Sequence, residues 1–177
     1  MKKLKIGLVQ MLCEKAAIAE NLEWTEHYIK EAARFYGKRV NIHLKVDTGM
    51  MRIGIRYTNA HKLFAAALEA EKDLNVVSLF SHFADADNED LSFAHLQLER
   101  FLEAARFFAD EHRPSPLLQI ANSAAVLRME ESLLDMVRPG IMLYGCHPSP
   151  FSRPEANLLP ALSLRAKIMY FKVVLAR

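Results

Sequence analysis

Cysteine is nearly absent. The chain holds two, Cys13 and Cys146, too few for a disulfide framework, and both read as buried thiols of a reducing compartment. Charge of one sign is missing as well. The net charge is +2 and no basic cluster with interleaved aromatics occurs, so nucleic acid is not an expected partner. No apolar run approaches the roughly 20 residues of a membrane span, so no membrane is expected either. The opening MKKLKIGLVQMLCEK imitates a signal peptide, but Gln10 interrupts its short apolar core. Glu14 and Lys15 follow without a small-residue cleavage site, so the stretch reads as a β-strand and the expected address is the cytoplasm. At 177 residues there is room for one domain with a real core, and too little for a complete eight-stranded barrel plus a further domain.

What is present is an alternation of strand and helix. Residues 5–11 (KIGLVQM) form a short apolar run of the buried parallel type. Asn21 is placed to cap a helix carrying Leu22, Ile29, Ala32, Ala33 and Tyr36 at helical spacing, and Gly37 to stop it. Residues 42–47 alternate strictly: Ile42, Leu44 and Val46 face one way, His43, Lys45 and Asp47 the other. In a barrel the apolar set meets the outer helices and the polar set the interior. A helix through Leu63, Phe64, Ala67 and Leu68 leads to a strand over 76–83. The next helix carries Ala94, Leu98, Phe101, Ala105 and Phe108, with Pro114 and Pro116 beyond its end. Further strands are expected over 117–122 and 136–143, with a short helix between them. After a Pro-containing linker, Leu162, Leu164, Ala166 and Ile168 alternate with Ser163, Arg165 and Lys167, predicting a half-exposed last strand over 162–175.

Chemistry concentrates between residues 119 and 145, QIANSAAVLRMEESLLDMVRPGIMLYG. Here Asn122-Ser123 and Arg138-Pro139-Gly140 fall at strand ends, where backbone N–H groups are free to meet an anion, and a phosphate-bearing ligand is the natural occupant. Blander readings stand beside this one. Asn122-Ser123 also suits a helix N-cap, Arg138 a pairing with Asp135 or a helix C-terminus, Lys45 a snorkelling strand lysine, and His82 a satisfied core histidine.

From about residue 40 to 173 the chain resembles the alanine racemase family. The landmarks HLKVDTGMMRIGI, LFSHFADAD, IANSAA, DMVRPGIMLYG and PALSLRAKI stand in family order. The resemblance implies a (β/α)8-type barrel and a pyridoxal 5'-phosphate site, the cofactor being non-covalent in this chain. By the same resemblance, Ser123, next to Asn122, holds the phosphate with the backbone N–H groups of Gly140 and Ile141. His82 packs against the pyridine ring and Arg138 donates to its nitrogen. Lys45 matches a lysine often carbamylated in the family, and Arg52 the arginine that pairs with it and with the substrate carboxylate. The family's Schiff-base lysine lies in a motif like VVKANAYGHG that is not found here, and its catalytic tyrosine in a C-terminal domain of which the tail supplies only an opening strand. Met51 stands where TGMGR has glycine. Gln119 stands where histidine is usual, which predicts weaker support for Arg138. Residues 1–37 instead resemble the opening strand and helix of the carbon–nitrogen hydrolases, without that family's catalytic motifs.

These readings give an α/β chain in which parallel strands alternate with helices as a partial (half) TIM-type barrel with an extra C-terminal strand. Residues 1–150 form the barrel part, joined from two ancestries near Gly37, and 151–177 a linker and a strand of a further domain. The function expected is binding of pyridoxal phosphate of the alanine racemase type, with an amino acid or phosphate ligand and no activity alone. The alternative is a non-catalytic half-barrel that self-associates. Five parallel strands leave two unpaired edges, so a homo-oligomer is expected.

Overall fold

The computed structural model describes residues 18–152, 156–161 and 163–173. Its backbone alternates helix and strand: α1 (Ile18–Tyr36), β1 (Val40–Asp47), β2 (Ile55–Arg56), α2 (Ala60–Glu69), β3 (Leu74–Phe80), α3 (Ser92–Ala105), α4 (Phe107–Asp110), β4 (Leu117–Gln119) and α5 (Ser123–Arg128). The described strands form one parallel sheet in the order β2-β1-β3-β4, as the βα alternation requires.

α1 already runs at Asn21, so Asn21 lies inside the helix and does not cap it; Ala19 and Glu20, both good helix formers, carry the helix past it. Its end is as expected. Gly37 takes φ +60°, and Lys38 N–H donates to Ala33 O across 3.3 Å, the closing bond of a left-handed glycine cap.

The alternation in β1 sorts two faces. Leu44 and Val46 are buried with Leu79 of β3 and Ile120 against Phe64 of α2, Leu98 and Phe101 of α3 and Phe108 of α4. Each large side chain sequestered there contributes about 1.5–3 kcal/mol. Of the expected helix stripes, Phe64, Ala67, Ala94, Leu98, Phe101, Ala105 and Phe108 are buried, and Leu63 and Leu68 pack against them partly buried. On the opposite face the register aligns Lys45, Phe80 and Gln119 in one row across β1, β3 and β4, and His43 with Ser78 in the row beneath. One bulge makes this register: β1 and β3 slip by one residue between Ile42 and His43, so that Val77 is left without a partner.

Several expectations need correction. The run 5–11 lies outside the described residues. The strand expected over 136–143 is not formed. Asp135 N–H donates to Leu118 O (3.1 Å) and Arg138 N–H to Ala121 O (2.9 Å), so the segment lies along β4 by two isolated bonds. Pro139 has no N–H to extend them, and Ile141–Tyr144 coils into a 3-10 turn. Nor does the tail form the strand expected over 162–175: the described residues 163–173 have no strand partner and are exposed, with Leu164 97% accessible. A lone alternating segment has no ladder to join. Cys146 is exposed rather than buried, and Cys13 lies outside the described residues.

Where the sheet ends, a buried carboxamide takes over from the ladder. Gln97 of α3 is fully buried; its Nε2 donates to Thr48 Oγ1 (3.1 Å) and to His82 O (3.2 Å), and its Oε1 accepts from Ala84 N–H (2.8 Å). Thr48 Oγ1 in turn lies 2.8 Å from Ser81 Oγ. One side chain on a helix thus fastens the loops that follow β1 and β3. Gln97→Leu keeps the volume and leaves these groups unpaired, so it should destabilise the chain by about 2–4 kcal/mol. Urea unfolding should show a lower midpoint at unchanged slope; an unshifted midpoint refutes the assignment.

Candidate functional site

The polar face of the sheet gathers cations at its carboxyl edge. Lys45 projects from β1 with its Nζ 5.2 Å from the centre of the Phe80 ring, and the Arg138 guanidinium lies 5.5 Å from the same ring. Arg138 Nη1 donates to Gln119 Oε1 (2.8 Å), and Nη2 to Ser81 O and Ile120 O. Gln119 Nε2 donates to Ser78 Oγ (2.7 Å), which also meets His43 Nδ1 at 2.6 Å. Gln119, which stands where histidine was expected, does support Arg138: its amide oxygen accepts from the guanidinium directly. Arg138 forms no ion pair with Asp135, whose Oδ2 accepts instead from Leu118 N–H (2.8 Å).

His82 is half-buried just past β3, and Arg52 lies exposed in the loop after β1. Among the described residues no carboxylate forms an ion pair with Lys45, Arg52, His82 or Arg138. The nearest acid, Asp47, turns its Oδ1 to the N–H groups of Gly49 (2.9 Å) and Met51 (3.1 Å). Burial, with Arg138 and Arg52 nearby, lowers the Lys45 amine from 10.5 to about 8 against the opposing pull of Asp47. Burial, then Arg138, Lys45 and Arg52, also lower His82, and burial alone lowers Arg138, which as a guanidinium stays charged.

The second part of the site is built by α5. Asn122 is its N-cap, with Oδ1 accepting from Ala125 N–H at 3.1 Å, so the cap reading holds for this residue. Next to it the buried Ser123 hydroxyl accepts from Gly140 N–H (2.7 Å) and Met142 N–H (3.4 Å). Ile141 opens the 3-10 turn between those two donors. A Cβ on Gly140 would find only Ser123 Oγ within 4 Å, at 3.9 Å, so the space beside hydroxyl and glycine is open. The structure thus groups Lys45, His82, Arg52 and Arg138 electrostatically, and Ser123, Gly140 and Met142 by hydrogen bonding; Asn122 caps α5 beside Ser123, and Ile141 lies between the two donors without a bond to the hydroxyl. The segment running from Arg138 to Gly140 links the groups.

The loop bearing Arg52 has a local cost. Met51 sits at φ +57° where a side chain is disfavoured, and its side chain is exposed, so nothing packs to compensate. Motif reading overlooked Phe80, Ser78 and Gln97. A signal for Gln97 existed, since it is a polar residue on the buried stripe between Ala94 and Phe101. Phe80 and Ser78 emerge only with the bulged register.

The profile described as alanine racemase, N-terminal domain, matches residues 16–148. It takes in α1, so that helix falls within this match although an ancestry in the carbon–nitrogen hydrolases was expected for it. The alanine racemase of Carboxydothermus hydrogenoformans is 40% identical over 162 residues, covering 87% of this chain and 43% of that protein. Alanine racemase 2 of Bacillus subtilis is 35% identical, covering 97% of this chain and 46% of that protein. The chain therefore spans less than half the length of these relatives. Among solved structures, an alanine racemase from Streptomyces coelicolor A3(2) superposes with a TM-score of 0.70 at 37% identity, covering 77% of this chain and 37% of that one. An alanine racemase of Clostridium difficile 630 in complex with cycloserine gives 0.70 at 28% identity, covering 78% and 38%. No helix among the described residues is long and apolar enough to cross a membrane.

The Lys45 amine should titrate apart from a free lysine. With a folded pKa of about 8 against 10.5 unfolded, the fold disfavours the charged amine fully below pH 8 and is relieved as pH rises between the two values. Trace acetylation of the intact chain should therefore show Lys45 reacting with a midpoint near pH 8, and Arg138→Gln should move that midpoint upward. A Lys45 midpoint at the free-lysine value overturns the electrostatic picture.

Proposed function

The chain belongs to the alanine racemase N-terminal domain family, and on that premise we propose that it forms the phosphate-binding part of a pyridoxal phosphate site. The observation that carries this reading is the pair of features at the carboxyl edge: an uncompensated cluster of cations and, beside it, an open cradle at Ser123 and Gly140. The donor set suits a phosphate, provided the Gly140 N–H, which donates to Ser123 Oγ in this structure, turns to the ligand. Ser123 with the N–H groups of Gly140 and Ile141 would hold the phosphate, and Asn122, by capping α5, keeps the hydroxyl in place. His82 would lie against the ring, and Arg138, a permanent donor, would face the ring nitrogen and keep it unprotonated. Lys45 and Arg52 would meet the carboxylate of an amino acid. When bound, the group supplies an electron sink for the α-carbon, which a ring nitrogen left unprotonated makes weaker.

Racemisation needs two bases on opposite faces of the α-carbon. Neither the lysine motif nor the tyrosine that serve the family is found in these 177 residues. The chain alone is therefore a binding unit, about half of a barrel, and the racemase activity of the relatives belongs to longer proteins. A second reading, a non-catalytic module that self-associates, is favoured by one feature: the apolar tail residues Leu164, Ile168, Tyr170 and Phe171 are exposed. The domain division, with residues 151–177 as linker and beginning of a further domain, goes with either reading.

Inorganic phosphate separates the two. It should bind the chain weakly, and Ser123→Ala should weaken binding by about 1 kcal/mol, the net worth of one hydrogen bond; calorimetry measures both. Equal affinity in parent and variant would misplace the site, and no binding at all leaves the assembly module as the better account.

The second expectation is negative. Purified chain with pyridoxal phosphate should convert L- to D-alanine far below about 10 per second, an ordinary enzyme turnover. Turnover of that size would mean the bases are supplied by residues not assigned here.

A further inference from the structure

We propose that residues 159–161 form a backbone strap on the phosphate-binding turn, and that strap and phosphate each tighten the hold of the other. The inference rests on the phosphate-site reading and deepens it, because it gives that site a support outside the sheet and α5.

The turn that carries the donors is held only at its ends. Ile141–Tyr144 contains no buried residue, and Ile141, Leu143 and Tyr144 are exposed, so no core packing fixes its position. At its start Arg138 N–H is bonded to Ala121 O, and the N–H groups of Gly140 and Met142 donate to Ser123 Oγ. At its finish Gly145 N–H donates to Met142 O (3.1 Å), and Gly145 takes φ +81°.

Here the later chain returns. Ala161 N–H donates to Tyr144 O across 3.2 Å. A Cβ on Gly145 would overlap Leu159 O and lie 2.5 Å from Leu159 C and Pro160 Cα. Leu159, Pro160 and Ala161 are themselves exposed, so it is backbone that meets backbone. Glycine is required at 145 twice over, by the left-handed dihedral and by the returning chain. Gly37 gives the contrast: it takes φ +60° with nothing within 4 Å of an added Cβ, so there only the dihedral asks for glycine.

Phosphate changes the balance between these supports. To meet the ligand, Gly140 N–H turns from Ser123 Oγ, which releases one tie between the turn and α5. The strap meets the turn at Tyr144 and Gly145, beyond the donors, so it keeps its grip and carries a larger share of the hold. A contact that counts for more in the bound state than in the free one raises affinity. By reciprocity the ligand strengthens that contact by the same factor. The size expected is that of one backbone hydrogen bond, about fivefold.

The test uses the intact chain with inorganic phosphate, followed by calorimetry, urea unfolding and amide exchange read by NMR. Ala161→Pro removes the N–H that Tyr144 O accepts from, and should weaken phosphate about fivefold at an unchanged urea midpoint. Gly145→Ala should weaken it at least as much, whereas Gly37→Ala, strained but uncrowded, should leave it unchanged. Should Gly145→Ala fail to fold, Ala161→Pro and the exchange measurement decide. In the parent, saturating phosphate should slow exchange of the Ala161 amide about fivefold, which a merely structural strap would not do. Parent-like affinity in Ala161→Pro, or an Ala161 amide whose exchange phosphate does not alter, overturns the inference and leaves the phosphate site standing. If the parent itself binds no phosphate, the site reading fails and the strap's role fails with it.

Discussion

The hydrogen bonds of Gln97 hold the carboxyl edge of the sheet in place. A parallel ladder satisfies backbone groups only as far as the strands pair, and here pairing ends at Asp47 and Phe80. Immediately beyond lie Thr48, Ser81 and His82, buried or half-buried; Ser81 N–H still reaches Gln119 O of β4 (3.1 Å), but the Thr48 hydroxyl and the His82 carbonyl have no strand to bond. Left unpaired, each buried group would cost more than a hydrogen bond normally contributes. Gln97 answers two of them and the N–H of Ala84 with one side chain, and the Thr48–Ser81 contact closes the set. Arg100, one turn along α3, donates to Thr48 O (3.0 Å) and lies over the Tyr57 ring, which fastens the same corner from outside. His82 and the Arg52 loop therefore start from anchored residues although neither belongs to a strand.

On that rigid edge the protein accumulates positive charge that it does not neutralise. A carboxylate beside Lys45 would restore the amine to its ordinary range and relieve the desolvation of its charge. Asp47 is close enough to do so in part, but its carboxylate is spent on the turn that follows β1. Arg138 is stabilised by carbonyl and amide oxygens, which satisfy its donors and leave its charge in place. Neutral acceptors orient a cation without cancelling its field. The field remains available to an anion, whose arrival would stabilise the group as a whole.

Much of this was legible in the chain. The period-two pattern of 42–47 gave both faces of β1, and the stripes of α2 and α3 gave the core, because burial against one sheet face imposes those periods directly. Gly37 stopped its helix for the reason that only glycine accepts the left-handed cap easily. The failures have physical causes too. Apolar content around Met136–Leu143 suggested a strand, but one missing N–H at Pro139 is enough to limit pairing, and periodicity does not register it. The tail alternates as a strand does, yet a strand exists only with a neighbour. The two-residue β2 is too short for any pattern to show. The bulge at Val77 was the most consequential omission, since without it Phe80 and Ser78 would not share a face with Lys45 and His43. Residues tied to motifs could be placed on their strands and loops one by one. Their grouping was not legible, because it depends on that single-residue slip.

The slip also gives direction to the line of hydrogen bonds from His43 to Arg138. A guanidinium only donates, so Gln119 must present Oε1 to it and Nε2 to Ser78. Ser78 Oγ accepts that N–H, and its own proton is then free for His43 Nδ1. This polarity holds only while the imidazole nitrogen is unprotonated. A protonated His43 would itself donate, and the hydroxyl would accept from both sides. The line ends at the one charge in it that does not titrate, and each group between serves to fix the orientation of the next. Gln119 is suited to this position because an amide offers one acceptor and one donor at fixed separation and does not change with pH. An imidazole in its place would bring a second titrating group within reach of Arg138. The support of Arg138 is thereby made independent of pH at the residue that touches it.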